Sequence, residues 1–133
     1  MVNKRPIVLV LAAAVLLVLL LSGTALAYTG GKTAEPFITS NNTVYANDAY
    51  AFVVYWDTDT GGKPVKYALE YSTVSSSGPW ITEASGKLAP DQIKRGALQT
   101  NGVTWTGMRY WRLSVITRSG LSDSAVWQIT PGD

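Results

Sequence analysis

Nine carboxylates are the side chains in this sequence with the clearest capacity for acid–base chemistry or metal binding. The 133 residues include no histidine and no cysteine, which excludes imidazole bases, thiol nucleophiles and the metal sites built from them. A glycosidase needs two carboxylates facing each other across a cleft, whereas most carboxylates here fall in predicted loops or on solvent-facing strand positions. We therefore expect no enzyme activity, no cofactor and no metal site. The carboxylates are Glu35, Asp48, Asp57, Asp59, Glu70, Glu83, Asp91, Asp123 and Asp133.

One carboxylate spacing resembles part of a calcium-binding loop. Asp57 and Asp59 are followed by Gly61-Gly62, in the order in which such a loop places its first ligands and its glycine. The third acidic or amide ligand is missing, because that position is Gly61. The glutamate that closes the loop is also missing, because that position is Ala68. The segment is therefore interpreted as an ordinary turn.

Tryptophans are the second group of residues with a chemistry of their own. An exposed tryptophan can stack on a sugar ring or anchor a protein partner. Trp80, Trp105 and Trp127 are the candidates for such a binding role. Packing between strands is the favoured interpretation for all three.

A long alternating strand over residues 109–117 organises the predicted fold. Apolar residues fall at every second position from Trp111 to Val115, with Arg112 and Ser114 between them. This alternation predicts a strand with one face in a core and the other in water. Runs of the same character at residues 50–57 and 65–73 are predicted to be its neighbours. The predicted core consists of Trp56, Tyr67, Leu69, Tyr71, Trp111, Leu113 and Val115.

Shorter elements complete an all-β pattern. An edge strand is predicted at residues 37–39 or 43–45, and one helical turn at residues 90–95, where Pro90 stands at its start. About seven short strands with a loop every ten residues or so indicate a β-sandwich. The remaining strands are predicted at residues 80–84, 102–106 and 124–130.

These strands resemble a fibronectin type III domain over roughly residues 36–131. Trp56 stands where the family has a buried tryptophan at the end of its second strand, and Gly120-Leu121-Ser122 matches the turn after its sixth. Tyr67, Leu69 and Tyr71 match the spaced aromatic and aliphatic positions of the third strand. The resemblance implies an immunoglobulin-like sandwich of antiparallel strands, and it concerns core positions, so it implies a fold and not a ligand.

The sequence departs from this family in three places. Trp111 occupies the position of a tyrosine whose hydroxyl normally holds the preceding turn, so the turn at residues 106–108 must be held in another way. The segment 85–100 is long and polar for the family. Arg95-Gly96-Ala97 is not Arg-Gly-Asp, so the integrin-binding sequence of some members is absent.

Residues 1–27 have the pattern of a secretory signal peptide. Lys4 and Arg5 precede a run of apolar residues at 7–21, and Ala25-Leu26-Ala27 has the small-x-small form of a cleavage site. The alternative is a signal anchor, an apolar N-terminal helix that spans the membrane, since residues 7–27 carry no charge. Either reading exports the remainder, because Lys4 and Arg5 stay on the cytoplasmic side. We therefore expect a secreted or cell-surface protein.

The exported part divides into a spacer and a neutral domain. Residues 28–35 are glycine-containing and predict a flexible spacer, and residues 36–133 form the predicted domain. Without Lys4 and Arg5, the 11 Lys and Arg of the chain become nine, equal to its 9 Asp and Glu. A neutral domain without a basic stripe is a poor candidate for binding nucleic acid. Asn41-Asn42-Thr43 is a candidate N-glycosylation sequon at Asn41.

Two principal classes of function remain open. The first is a non-catalytic surface module for display, adhesion or protein–protein assembly, with partner contacts at loops 57–64, 75–79 and 87–101. The second is a structural subunit of a filament or virion, in which residues 28–45 leave their own sheet and join a neighbour's edge. A carbohydrate-binding module that uses the three candidate tryptophans is a weaker third alternative.

Overall fold

Strands joined by short connections make up most of the described chain. The computed structural model describes residues 34–132. The elements are β1 (Ile38–Ala46), β2 (Ala49–Trp56), β3 (Pro64–Ser72), β4 (Ile81–Lys87), α1 (Pro90–Arg95), β5 (Ala97–Gln99), β6 (Arg109–Thr117) and β7 (Ser122–Ile129).

A tight turn joins β1 and β2 into a hairpin. Asn47 (φ 55°) and Asp48 (φ 62°) both lie in the left-handed region that a two-residue type I′ turn requires. Asparagine and aspartate tolerate this region better than other residues with a side chain. The two alternative edge-strand positions, residues 37–39 and 43–45, both fall in or next to the single strand β1.

The strands form two antiparallel sheets, with strand orders β1-β2-β5 and β4-β3-β6-β7. In the constant-type immunoglobulin arrangement the fourth strand joins the sheet of the first, second and fifth. Here β4 instead pairs with β3 in the other sheet. The predicted all-β sandwich of about seven antiparallel strands is confirmed, and it fits the fibronectin type III-like fold that the resemblance implies.

The core lies between the sheets, where β2 faces β6. Phe52 and Val54 of β2 are fully buried, and the Phe52 ring centroid lies 5.1 Å from that of Trp111 in β6. The sequence pattern predicts that residues 65–73 neighbour β6, and β3 does pair with it. The same prediction for residues 50–57 is wrong, because β7 occupies that edge of β6 and β2 contacts β6 across the sandwich. Alternation predicts which face is buried, but not which strand shares the hydrogen bonds.

The prediction of a strand at residues 102–106 is wrong. Only Val103 pairs there, through two backbone hydrogen bonds with Tyr50 of 2.8 and 2.9 Å. The next aromatic residue, Trp105, turns inward, and its ring centroid lies 4.9 Å from that of Trp111. The buried indole N–H of Trp111 donates to no residue in the described range. The turn that precedes β6 is therefore anchored by Trp105 packing and the Val103 bridge.

The helical turn predicted at residues 90–95 is present as α1. It ends at Gly96, whose φ of 69° gives a left-handed cap, and the Gly96 N–H donates to the carbonyl of Gln92. The segment that follows forms β5, which pairs with β2 and which the sequence pattern did not separate from the helix.

The predicted leader, residues 1–27, and most of the predicted spacer, residues 28–35, lie outside the described residues. Within residues 34–132, no helix has the length and apolar character needed to cross a membrane.

Candidate functional site

Two of the three candidate binding tryptophans are placed against the core. Trp105 is only 9% exposed and packs against Tyr50 and Trp111, with ring centroids 5.2 and 4.9 Å away. Trp127 is partly buried, and its ring centroid lies 4.9 Å from that of Phe52. Both rings therefore pack against the core between the sheets, and Trp127 keeps part of its surface exposed.

The residues assigned to the core lie between the two sheets. Tyr67 and Tyr71 are partly buried and pack against the core cluster. The fully or almost fully buried members are Trp56, Leu69, Trp111, Leu113 and Val115.

The third candidate, Trp80, lies over the outer face of the four-stranded sheet. The Arg112 guanidinium carbon stands 4.4 Å from the centroid of its ring, within cation–π distance. The Arg112 Nε and Nη2 groups both donate to Glu70 Oε1, at 3.0 and 2.8 Å. Arg112 is thus held between the ring of Trp80, the residue that precedes β4, and a carboxylate on β3.

Strand alternation and register bring these side chains together. Trp111 points into the core, so Tyr110 and Arg112 on either side of it point outward. Glu70 lies opposite Arg112 in the β3–β6 pair, and Val126 lies opposite Arg112 in the β6–β7 pair. We call Glu70, Trp80, Tyr110, Arg112 and Val126 the outer-face cluster.

An ordered loop carries Trp80 to this face. Ser72 Oγ accepts hydrogen bonds from the N–H groups of Val74 and Ser75, and Ser75 Oγ donates to the carbonyl of Gly78. Gly78 has a φ of 96°, and a Cβ added there would come within 2.8 Å of Trp80 Cδ1. The absence of a side chain at Gly78 therefore allows the indole to lie close to the loop. A Gly-Pro-Trp sequence after a serine-rich run is the signal of this arrangement.

The cluster offers binding chemistry of a specific kind. It combines an aromatic face, a phenol and an exposed aliphatic side chain, since Val126 is 47% exposed. It also contains a guanidinium that keeps N–H groups unpaired among residues 34–132. The Glu70–Arg112 pair is partly buried, with side-chain exposures of 18% and 32%, so its charges are largely balanced within the cluster. Tryptophan, tyrosine and arginine are the residues most enriched at the energetic centres of protein interfaces.

Sequence reasoning predicted only Trp80 among these five residues. Glu70 and Arg112 are 42 positions apart in the chain, and only the register of β3 against β6 makes them partners. Their signal in the sequence is weak: both occupy polar positions of otherwise apolar alternating strands.

The segment that resembled a calcium loop is an aspartate-centred turn. The Asp57 carboxylate accepts hydrogen bonds from the N–H groups of Asp59 and Thr60 and from Thr60 Oγ1, at 2.7, 3.2 and 2.7 Å. The Thr60 hydroxyl, followed by the two backbone N–H groups, lowers the pKa of Asp57. Nowhere in residues 34–132 do three potential metal-binding side chains gather.

The three loops suggested as partner contacts do not share one end of the sandwich. Loop 57–64 precedes β3 and loop 75–79 follows it, so the length of β3 separates them. The connection after β4 returns to the first end, where the Leu88 N–H donates to the carbonyl of Val65. One small partner therefore cannot contact all three loops. Asn41 of the candidate sequon lies in the middle of β1 and is exposed.

Comparison with known proteins finds no matching family model and no matching curated protein. Among solved structures, the chain is similar to a solution structure of the fourth FNIII domain of a human protein. The sequences are 18% identical, the TM-score is 0.43, and the match covers 72% of this chain and 76% of that one. The two hydrogen-bonded sheets of this chain themselves define its β-sandwich fold.

Proposed function

We propose that this domain is a non-catalytic protein-binding module that contacts a protein partner through the outer-face cluster. The observation that carries the proposal is the fixed position of Arg112 between the Trp80 ring and the Glu70 carboxylate. A side chain that is already held in place loses little conformational entropy when a partner binds to it. Tyr110 extends the same surface along β6, and Val126 extends it onto β7.

We favour a display or adhesion module over a subunit that assembles by strand exchange. Strand β1 pairs with β2 of its own chain from Ile38 to Ala46. That is the arrangement expected of a self-contained module, whereas strand exchange would leave β2 open to a neighbour's strand. Carbohydrate binding is best supported at Trp80, because the other two candidate tryptophans pack against the core.

Affinity capture with matched baits tests the binding surface. The full chain is used as wild type, as Arg112→Ala and as the control Ile81→Ala. The control removes an exposed aliphatic side chain that is next to Trp80 in the sequence but points to the opposite face of the sheet. We expect one defined set of proteins to bind the wild type and Ile81→Ala. Its affinity for Arg112→Ala should be roughly 30-fold weaker, as for a residue at an interface centre.

Two results of this capture would contradict the proposal. One is binding that Ile81→Ala weakens and Arg112→Ala does not. The other is binding that disappears when the captured proteins are enzymatically deglycosylated, which would identify a carbohydrate ligand instead.

We also propose that the domain acts outside the cell membrane, as a secreted or anchored surface protein. The support is the basic start, apolar run and small-residue exit of residues 1–27. Protein that begins at Tyr28 is expected from N-terminal sequencing of the native material. Recovery of Met1 from a membrane fraction would reject cleavage in favour of the anchor, and recovery of Met1 from the cytosol would reject export.

A further inference from the structure

The outer edge of β1 carries backbone groups that no described strand uses. In the three-stranded sheet, β1 is an edge strand whose only partner among residues 34–132 is β2. Ala46 and Ala49 flank the two-residue turn and therefore form a hydrogen-bonded pair. By alternation, Asn41, Thr43 and Tyr45 direct their N–H and C=O groups away from β2. The Thr43 N–H accordingly donates to the Asn42 side chain, at 2.9 Å, and not to β2.

β1 is also the only long edge in the described range without a charged residue. Edge strand β4 contains Glu83 and Lys87, and its pairing with β3 is interrupted by a register shift. Edge strand β7 contains Asp123, whose carboxylate accepts the Ile38 N–H. The remaining edge, β5, has only 3 residues. Charges, short edges and bulges are the features that keep sheet edges from pairing with other chains, and β1 lacks them from Ser40 to Ala46.

The side chains of β1 are compatible with a copy of themselves. A two-fold axis brings a residue opposite its own copy, so any charge at that position would meet a like charge. The sequence Ile-Thr-Ser-Asn-Asn-Thr-Val-Tyr-Ala offers only apolar and uncharged polar groups. Threonine opposite threonine is a favourable pair in an antiparallel sheet.

We propose that two copies of this chain associate edge to edge through β1, antiparallel about a two-fold axis at Thr43. Thr43 then lies opposite Thr43 of the second copy, and Asn41 lies opposite Tyr45. In the dimer the Thr43 N–H exchanges its bond to the Asn42 side chain for one to the second copy. The outward groups of these residues then form about six backbone hydrogen bonds, because both members of each pair donate and accept. The three-stranded sheets of the two copies meet at β1, so that one continuous sheet crosses the axis.

This association differs from strand exchange, because each β1 keeps its pairing with its own β2. It is also independent of the outer-face cluster, which lies on the other sheet. A glycan on Asn41 would be attached at the paired edge and would oppose the dimer, so the test uses protein made without N-glycosylation.

Disulfide trapping locates the axis, since the chain has no cysteine of its own. The full chain in mild detergent carries either Thr43→Cys or, as the matched control on another exposed edge, Ser85→Cys of β4. Facing strands bring paired Cα atoms within the range that a disulfide bridges. We expect Thr43→Cys to give about ten-fold more cross-linked dimer than Ser85→Cys under mild oxidation. Equal yields from the two variants would overturn the proposal.

Charge exchange at the same position tests the two-fold symmetry. Thr43→Lys and Thr43→Glu should each be monomeric by light scattering, because each places like charges opposite one another, and their mixture should form a mixed dimer. Both should melt cooperatively, which shows that the domain is folded. Dimers of either variant alone, or the absence of a mixed dimer, would contradict pairing at Thr43.

Discussion

Asp57 illustrates how one side chain can order a loop. Its carboxylate accepts three hydrogen bonds from Asp59 and Thr60, so its charged form is favoured in the folded protein and its pKa is lowered. The pKa in the unfolded chain is therefore higher than in the folded chain. The resulting stabilisation is fully present above the ordinary aspartate pKa and is lost as the pH falls through the lowered pKa of the folded state.

Thr60→Val tests the cause of this pKa change. Valine cannot donate the hydroxyl hydrogen bond that contributes most to the shift, so the pKa of Asp57 should rise towards its ordinary value. The measurement is an NMR titration of the Asp57 carboxyl carbon. Thr58→Val, in the same exposed loop, is the control and should leave the pKa of Asp57 unchanged. If the two variants titrate alike, the hydroxyl is not the cause.

Trp56 is the residue at which the core assignment is most easily measured. It is 5% exposed and lies between the sheets, whereas its neighbour Tyr55 points to the other face of β2 and is 46% exposed. Trp56→Ala should lower the free energy of unfolding by roughly 3–5 kcal/mol, as for other buried aromatic side chains. Denaturant melts should show a much smaller loss for Tyr55→Ala. A Trp56→Ala variant within about 0.5 kcal/mol of wild type would place this ring at the surface.

At the scale of elements, Gly96 at the end of α1 packs against the β2–β3 loop and the end of β2. Its φ of 69° is left-handed, and an added Cβ would lie 2.6 Å from Thr58 Cγ2 and 2.7 Å from the Trp56 carbonyl oxygen. Its own carbonyl accepts the Trp56 N–H at 2.9 Å. A side chain at this position would therefore disturb both the helix cap and the end of β2.

Gly96→Ala and Gly107→Ala separate the cost of a left-handed backbone from the cost of a Cβ clash with neighbouring atoms. Gly107 also has a positive φ, of 79°, but an added Cβ there would meet nothing within 4 Å. Gly107→Ala should therefore lose only about 1–2 kcal/mol of unfolding free energy, the cost of the left-handed backbone. Gly96→Ala should lose clearly more, since its Cβ also meets a backbone oxygen. Equal losses in thermal or denaturant melts would mean that α1 and the loop are not in close contact.

The predictable elements are those whose own residues determine them. Alternation from Trp111 to Val115 predicts β6 with its bounds, and Pro90 predicts the start of α1. The β2–β6 relation could not be predicted, because apolar alternation is the same for a strand beside β6 and a strand across from it. The wrong strand at residues 102–106 has a similar origin: Trp105 is apolar because it fills the core from a loop, not because it belongs to a sheet.

The candidate site was less predictable than the fold. Trp80 could be named because an exposed tryptophan can anchor a protein partner, but its partners Glu70 and Arg112 are joined only by strand register. Trp105 and Trp127 were named for the same reason as Trp80 and are placed against the core. Residue type alone does not distinguish an aromatic ring in a binding surface from one in a core.

At the scale of the whole domain, the two proposed surfaces lie on different sheets. The outer-face cluster belongs to the four-stranded sheet, and the β1 edge belongs to the three-stranded sheet. A pair of domains joined through β1 would therefore keep both outer-face clusters free. Such a dimer presents two equivalent binding surfaces, which raises its avidity for a partner that is itself repeated on a surface.

Site-specific photocross-linking in cells of the source organism tests the central claim, that the outer-face cluster binds a protein. A photoreactive phenylalanine derivative replaces Val126 in the cluster or, as the control, Tyr55 on the other sheet; the two native residues are almost equally exposed, at 47% and 46%. We predict one discrete cross-linked protein from position 126. The same product should be absent from position 55 and lost when Trp80→Ala is added. A product that forms only from position 55, one that Trp80→Ala leaves unchanged, or no product from position 126 would contradict the account.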